Sequence, residues 1–224
     1  MIIKKIDYDK KEKLYTVYFE NKNIEVRQGT LIKFNLYVGK ELDRDMTEEF
    51  KYFDQYDTAK NLALRYLKNM KSEYQVRFYL KTKDFEENII DQVIDYLYSI
   101  KYLDDLDYAR AYSLDRQNIY KYGKNKIIFK LREKQIPEKF IDIALMELSE
   151  DVEIENLRKS IAVKKKNLKS TDKNYYYKLV NSMFNKGFDI DLIKKVLRED
   201  FSFYPIRNDM QMERFTLTTI QNLI

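Results

Sequence analysis

The sequence predicts a mainly α-helical protein: three tandem three-helix repeats in an elongated array, preceded by a small β-rich amino-terminal module. Three observations carry that expectation. Only 4 Gly and 2 Pro occur in 224 residues, which leaves little material for long loops and favours helices joined by short turns. Apolar residues at spacings of three and four recur along the chain, with Leu80, Leu131 and Met183 marking shifts of 51 and 52 positions. Such a period belongs to stacked units that bury one face against their neighbours. Before those repeats begins a β-branched and aromatic run, Leu14 to Phe19.

In chain order, three short strands come first: Ile2 to Ile6, Leu14 to Phe19 and Ile24 to Arg27. The polar turns Asp9-Lys10-Lys11 and Asn21-Lys22-Asn23 separate them. A small meander needs a helix on one face to be stable. Leu31, Ile32, Phe34 and Leu36 are expected to supply it, with Gly39 as the left-handed residue just past its end. The acidic stretch Glu41 to Asp57 reads as a short connecting helix and closes a module of residues 1–57. Helical repeats are expected over 58–103, 104–150 and 151–201, their first helices beginning near Thr58, Asp104 and Asp151. A tail, 202–224, reads as a capping helix or a poorly ordered end.

Within each repeat the clearest unit is a helix, a short turn and another helix. Val76 and Leu80 line the first of the pair, then Ile127, Ile128 and Leu131, then Leu179, Val180 and Met183. Ile89, Ile90, Val93, Ile94 and Leu97 line the second, followed by Phe140, Ile141, Ala144, Leu145 and Leu148, then Leu192, Ile193, Val196 and Leu197. Ser72 with Gln75 forms a capping box, Pro137 fits the first turn of its helix, and Asp189 can cap the last one. The turns align as Lys83-Asp84-Phe85, Lys134-Gln135-Ile136 and Lys186-Gly187-Phe188. Their middle residue is expected in the left-handed region, at a cost of up to ~1 kcal/mol for Asp84 and Gln135.

Composition narrows the chemistry. With no Cys and no His, thiolate metal sites, a nucleophilic cysteine and a His-based triad are excluded. The glycines at 29, 39, 123 and 187 are too scattered for a phosphate-binding loop. Asp104, Asp105 and Asp107 could hold a metal, but helix capping is the stronger reading for the first two. No enzyme activity and no cofactor are expected. No signal peptide or membrane-length apolar run is legible, so a cytoplasmic protein, acting as a monomer, is expected.

Charge is unevenly placed. The chain carries +5 overall, yet Arg116 to Lys134 holds seven cations (Arg116, Lys121, Lys124, Lys126, Lys130, Arg132, Lys134) against Glu133 alone. Arg158 to Lys169 adds six, Lys164, Lys165 and Lys166 among them, with no acid; Glu41 to Asp57 carries seven acids against two bases. Basic segments in successive repeats can follow a phosphate backbone or meet an acidic groove, and Tyr120 and Tyr122 beside the first could stack on bases. The plainer reading is a solvated helix face with packing tyrosines. A helix–turn–helix reader of duplex DNA fits poorly, because its recognition helices would be acidic: Glu86, Glu87, Asp91 and Asp95, then Glu138, Asp142, Glu147 and Glu150 against Lys139. Those helices read instead as repeat-to-repeat packing elements.

The chain resembles the RecX family at particular residues. They are Ser72-Glu73 with the helix to Leu80; Lys101-Tyr102-Leu103-Asp104-Asp105 with Tyr108-Ala109; and Arg116, Lys121-Tyr122-Gly123, Ile127, Leu131 and the Lys134-x-Ile136 turn. Leu31, Lys33-Phe34 and Gly39-Lys40-Glu41-Leu42 look like the amino-terminal extension of Gram-positive members. The family usually has Gly where this chain has Asp84, Lys101 and Gln135. The resemblance implies a non-catalytic regulator that binds the RecA recombinase filament, with single- or double-stranded DNA as a possible further contact. It would limit filament extension or promote disassembly, and so modulate recombination and the SOS response. Arg116, Lys121, Tyr122, Lys124, Lys126, Lys130, Arg132, Lys164, Lys165 and Lys166 are the expected filament- or DNA-binding residues. The alternative is an autonomous nucleic-acid-binding helical repeat protein.

Overall fold

Alternation of apolar and polar residues sets the first element, because side chains along a strand point alternately to opposite faces. In the computed structural model, which describes residues 1–168 and 174–201, β1 (Lys5–Asp9), β2 (Leu14–Tyr18) and β3 (Asn23–Val26) form an antiparallel sheet of order β1-β2-β3. The register pairs Ile6 with Val17 and Val17 with Ile24. Val17, Phe19 and Val26 face inward with Ile3, Phe34, Leu36, Leu42 and Phe50. The first strand starts later than expected: Ile2 makes only an isolated bridge to Glu41, because the return of the chain at Lys40 takes the Ile3 amide (2.9 Å).

Helix α1 (Gln28–Lys33) is one residue set shorter than the apolar pattern implied. Its left-handed terminator is Asn35 (φ 45°), and Gly39 (φ 94°) serves the following turn. Ile32, expected on the buried face, is exposed, while Thr30 is buried. Thr30 donates its hydroxyl to Asp54 (2.8 Å) and the Arg27 amide donates to the same carboxylate (3.2 Å). A polar anchor thus replaces the expected apolar one.

Asp54 lies on α2 (Arg44–Tyr66), a continuous helix of 23 residues capped by Asp43. This corrects two expectations at once: the short acidic connector and the helix starting near Thr58 are one element. Phe50 of α2 joins the sheet's core, and Ala59 and Ala63 join the next core cluster. The chain forms two compact units, Met1–Tyr108 and Ala109–Ile224. In the first, α3 (Glu73–Lys81) and α4 (Glu87–Ser99) pack with the end of α2 around Val76, Leu80, Ile89, Ile90, Val93, Ile94 and Leu97. Both halves of the Ser72–Gln75 capping box form.

After α5 (Asp105–Asn118), the second unit contains α6 (Lys124–Arg132), α7 (Glu138–Met146), α8 (Glu150–Lys166), α9 (Tyr175–Phe184) and α10 (Ile190–Phe201). Ile127, Leu131, Ile141 and Ala144 are buried between α6 and α7. Pro137 sits at the N-cap, one place before the first turn predicted for it. The third repeat closes over Leu157, Ile161, Leu179, Val180, Met183, Phe188, Ile193, Val196 and Leu197, with Asp189 capping α10 through the Asp191 and Leu192 amides (2.8 and 3.1 Å). Lys169 and the 202–224 tail lie outside the described residues.

The three aligned turns are all left-handed at their middle residue: Asp84 (φ 61°), Gln135 (φ 54°) and Gly187 (φ 88°). Lys101 (φ 56°) is left-handed as well. Gly187 must be glycine for a second reason. The Gly123 amide donates to Lys186 O and the Asn125 amide to Gly187 O (both 3.0 Å), so the turn lies directly on the start of α6. A Cβ on either glycine would overlap the other segment's backbone. Repeats two and three are therefore joined by backbone contact. The third helix of a repeat, expected to make that contact, packs inside its own repeat: α4 with α2 and α3, and α10 with α8 and α9.

Two outcomes follow. Gly123→Ala should destabilise the chain by ~1–3 kcal/mol through overpacking, read as a lower urea midpoint. Asp84→Gly and Gln135→Gly should each raise that midpoint, by ~0.5–1 kcal/mol, because glycine adopts positive φ without the Cβ penalty.

Candidate binding surface

The basic segment occupies the end of α5, the turn after it, and α6. Ile127 and Leu131, four apart, turn inward, which leaves the cations between them on the outer faces of the helix. Arg116 lies between two tyrosine rings, its guanidinium carbon 4.5 Å from the Tyr112 centroid and 4.1 Å from that of Tyr120. It also pairs with Asp115 at 3.1 Å. Burial opposes its charge, while the hydroxyls of Tyr112 and Tyr120 favour it, and its pKa is raised. Tyr122 follows with its ring 5.9 Å from Tyr120, and Lys126 places its ammonium 4.5 Å over the Tyr122 ring. Cation–π contacts of this kind hold both partners in place. The tyrosines therefore pack against the chain's own cations, and Tyr120 keeps about half of its surface exposed, 51%.

The other expected cations divide by partner. Lys124 stands 3.6 Å from Glu153, whose carboxylate also accepts the Lys124 amide at 2.9 Å. Lys130 pairs with Glu133 (2.6 Å), and Arg132 grips Glu138 through two contacts (2.6 and 3.2 Å). Exposed pairs of that kind restrain their side chains only weakly. Lys164, Lys165 and Lys166 end α8, where cations complement the helix dipole. Lys165 lies 4.6 Å over the Phe201 ring. Glu153, which touches α6, is about 16 Å back along α8 from Lys164 at 1.5 Å per residue. The structure thus brings Arg116, Tyr122 and Lys126 into one neighbourhood, and places the three lysines of α8 about three helical turns from the Lys124 contact.

Residues outside the expected set share that neighbourhood. Lys134 stands 5.6 Å over the Tyr112 ring. Lys186 donates to the Ser160 hydroxyl at 3.1 Å. Each belongs to the recurring Lys-x-apolar turn, so the repeat itself was the signal that these lysines occupy equivalent places.

Two of the three aspartates weighed as metal ligands, Asp104 and Asp105, are caps. Asp104 accepts the Leu106 and Asp107 amides (2.9 and 3.0 Å). Asp105 reaches back to the Glu73 amide at the start of α3 (2.8 Å). Among the described residues no three acidic side chains are grouped to hold a metal ion. Burial, only partly offset by that amide and reinforced by Glu73 and Asp104, raises the Asp105 carboxyl from 3.8 to about 6. The Tyr98 phenol, which donates to Glu73 (2.9 Å), is also raised, chiefly by burial.

A raised carboxyl binds its proton more tightly in the folded state. Its contribution to stability is therefore fully present below about pH 4 and is lost as pH climbs through 6. Asp105→Asn, which keeps an oxygen for the Glu73 amide, should stabilise the chain at pH 7 and flatten its stability between pH 4 and 7. Urea titrations across that range check this; an unchanged slope would contradict the assignment.

Residues 59–97 match the family model for the first three-helix domain of RecX, and residues 104–145 match that for the second. The Regulatory protein RecX of Clostridioides difficile (strain 630) is 32% identical over 206 residues, covering 90% of this chain and 97% of that protein. That of Listeria monocytogenes serotype 4a (strain HCC23) is 29% identical over 203 residues, 89% of this chain and 76% of its relative. A crystal structure of regulatory protein RecX superposes with a TM-score of 0.68 at 28% identity, covering 87% of this chain and 98% of the other. Among the described residues no helix is long and apolar enough to cross a membrane.

Proposed function

Because the chain belongs to the RecX family, we propose that it regulates the RecA recombinase by binding along the RecA–DNA filament, hindering its extension or favouring its disassembly. The observation that carries this reading is the match to a Regulatory protein RecX over nearly the whole length of both chains. Physically the work is done by occupancy. Successive repeats present a recurring surface to a recurring assembly, and binding energy replaces catalytic turnover. The repeats expected over 58–103, 104–150 and 151–201 would each be one unit of contact, the first taking its opening helix from the carboxyl-terminal part of α2.

The basic neighbourhood of α5 and α6 supports an anionic face on the partner. Arg116 and Tyr122 would act there as a rigid platform, and Lys121, Lys126 and Lys130 as the charges that meet phosphate or carboxylate. Lys124 already holds the buried Glu153, so it would serve chiefly by shaping the surface, while Arg132, like Lys130, would turn from its exposed carboxylate to the partner. Lys164, Lys165 and Lys166 form a second, separate contact.

The test is DNA-dependent ATP hydrolysis by purified RecA with sub-stoichiometric additions of this protein. Hydrolysis should fall. The double variant Lys126→Gln/Lys130→Gln should need about fivefold more protein for the same inhibition, from ~0.5 kcal/mol for each exposed charge. Lys124 is left intact there because removing its ammonium would take the counter-ion from the buried Glu153. Unchanged hydrolysis without binding to the filament would reject the proposal. The autonomous nucleic-acid-binding alternative predicts instead tight binding to naked DNA with a log–log salt slope near −5, from roughly six phosphate contacts at ~0.9 each.

A further inference from the structure

Like charges rarely gather without a counter-charge among them. Where the third repeat's turn lies on the start of α6, three lysines gather and, among the described residues, no carboxylate pairs with them. The Gly123 amide donates to Lys186 O (3.0 Å), and Lys126 donates its ammonium to Asn185 O (3.2 Å). These contacts bracket Lys186 between the backbone that follows Lys121 and the side chain of Lys126. Lys186 itself is anchored to Ser160, a hydroxyl buried to 5% exposure. Lys121 is held in the left-handed region (φ 56°), a backbone strain that lysine does not favour. No salt bridge among the described residues joins Lys121, Lys126 or Lys186 to a carboxylate; the nearby Glu153 is engaged by Lys124.

We propose that Lys121, Lys126 and Lys186, with the Ser160 hydroxyl behind them, form a binding site for a phosphate-type oxyanion at the junction of the second and third repeats. All three lysines are partly exposed, so a small anion can reach them from solvent. The start of α6 does not supply the site, since Glu153 and the Gly187 carbonyl take its first amides. The ammonium groups do. Burial, and next the charges of Lys121 and Lys126, hold the Lys186 ammonium below its ordinary pKa. A bound dianion would relieve that repulsion and add charge-assisted hydrogen bonds. The site stands on this geometry whatever the RecA experiment yields. The same chemistry is offered by free inorganic phosphate and by the backbone of a single nucleic-acid strand.

The experiment titrates the full chain with inorganic phosphate and follows the backbone amide signals of residues 121–126 and 186 by NMR. Those signals should move together and saturate. Lys186→Gln and Lys121→Gly should each weaken binding roughly tenfold, the loss of one charge-assisted hydrogen bond. Lys121→Gly removes a cation while relieving the positive φ, so its thermal stability should be no lower than that of the parent. This keeps a folded variant in hand even if Lys186→Gln unfolds. Signals that stay still, or a Lys121→Gly chain that binds phosphate as the parent does, overturn the proposal. A parallel titration with a short oligothymidylate identifies the source. If both variants also lose oligonucleotide affinity and about one unit of salt slope each, the anion is a strand phosphate. If only inorganic phosphate binding falls, it is a free anion.

Discussion

A helix leaves its first amides unsatisfied, and burying that end without partners is costly. Most of this protein's construction answers that constraint. The start of α3 receives Asp105 from α5, and the start of α6 receives Glu153 from α8. In each case a carboxylate in the opening turn of one repeat's first helix accepts the first amide of the preceding repeat's middle helix. Neighbouring repeats are tied through this polar joint. At the second joint the tie tightens to backbone contact between Gly123 and the Gly187 turn. The basic neighbourhood sits at that same joint, so its geometry follows from how the repeats are fastened.

This also explains what could be read from the amino-acid order. The middle and last helices of each repeat bury Leu, Ile and Val at spacings of three and four, so their positions, their core residues and their left-handed turns were all legible. The first helices α5 and α8 were placed by their starts, near Asp104 and Asp151, but their buried residues were not legible, because those faces are largely polar. Asp105, Ser113 and Gln117 are buried on α5, and Glu153, Asn156 and Ser160 on α8. Gln117 donates to Ser149 O and Asn156 to Gln117 O, both at 2.8 Å. Hydrogen-bonded polar burial has no apolar period, and pattern reading passes over it. The continuity of the helix that begins at Arg44 was missed for a related reason. Its acids read as a short connecting helix, yet Asp54 and Asp57 are partners of Thr30 and of Lys60 and Asn61.

The candidate surface was legible as charge and not as arrangement. Counting cations picked out Arg116 to Lys134, but could not separate Arg116, clasped between two rings, from Arg132, clamped on Glu138. Nor could it bring in Lys186, which lies 52 positions beyond Lys134 in sequence and reaches the neighbourhood only because a turn rests on another helix. Lys121 carried no mark of its left-handed backbone, since neither capping nor turn chemistry calls for lysine there.

The single helix from Arg44 to Tyr66 has a bearing on how the amino-terminal module can be handled. At 1.5 Å per residue its 23 residues make a strut of roughly 35 Å, seated at one end in the sheet through Phe50 and at the other among the α3 and α4 side chains through Ala59 and Ala63. With no hinge inside it, whatever grips the sheet also turns α3 and α4, as a handle turns its blade. A chain severed at Thr58 would cut through the strut, exposing sheet core on one fragment and shortening the helical seat on the other. No cut between Leu42 and Tyr66 leaves both parts whole, since Leu42 and Phe50 complete the sheet's core and Asp43 caps the strut.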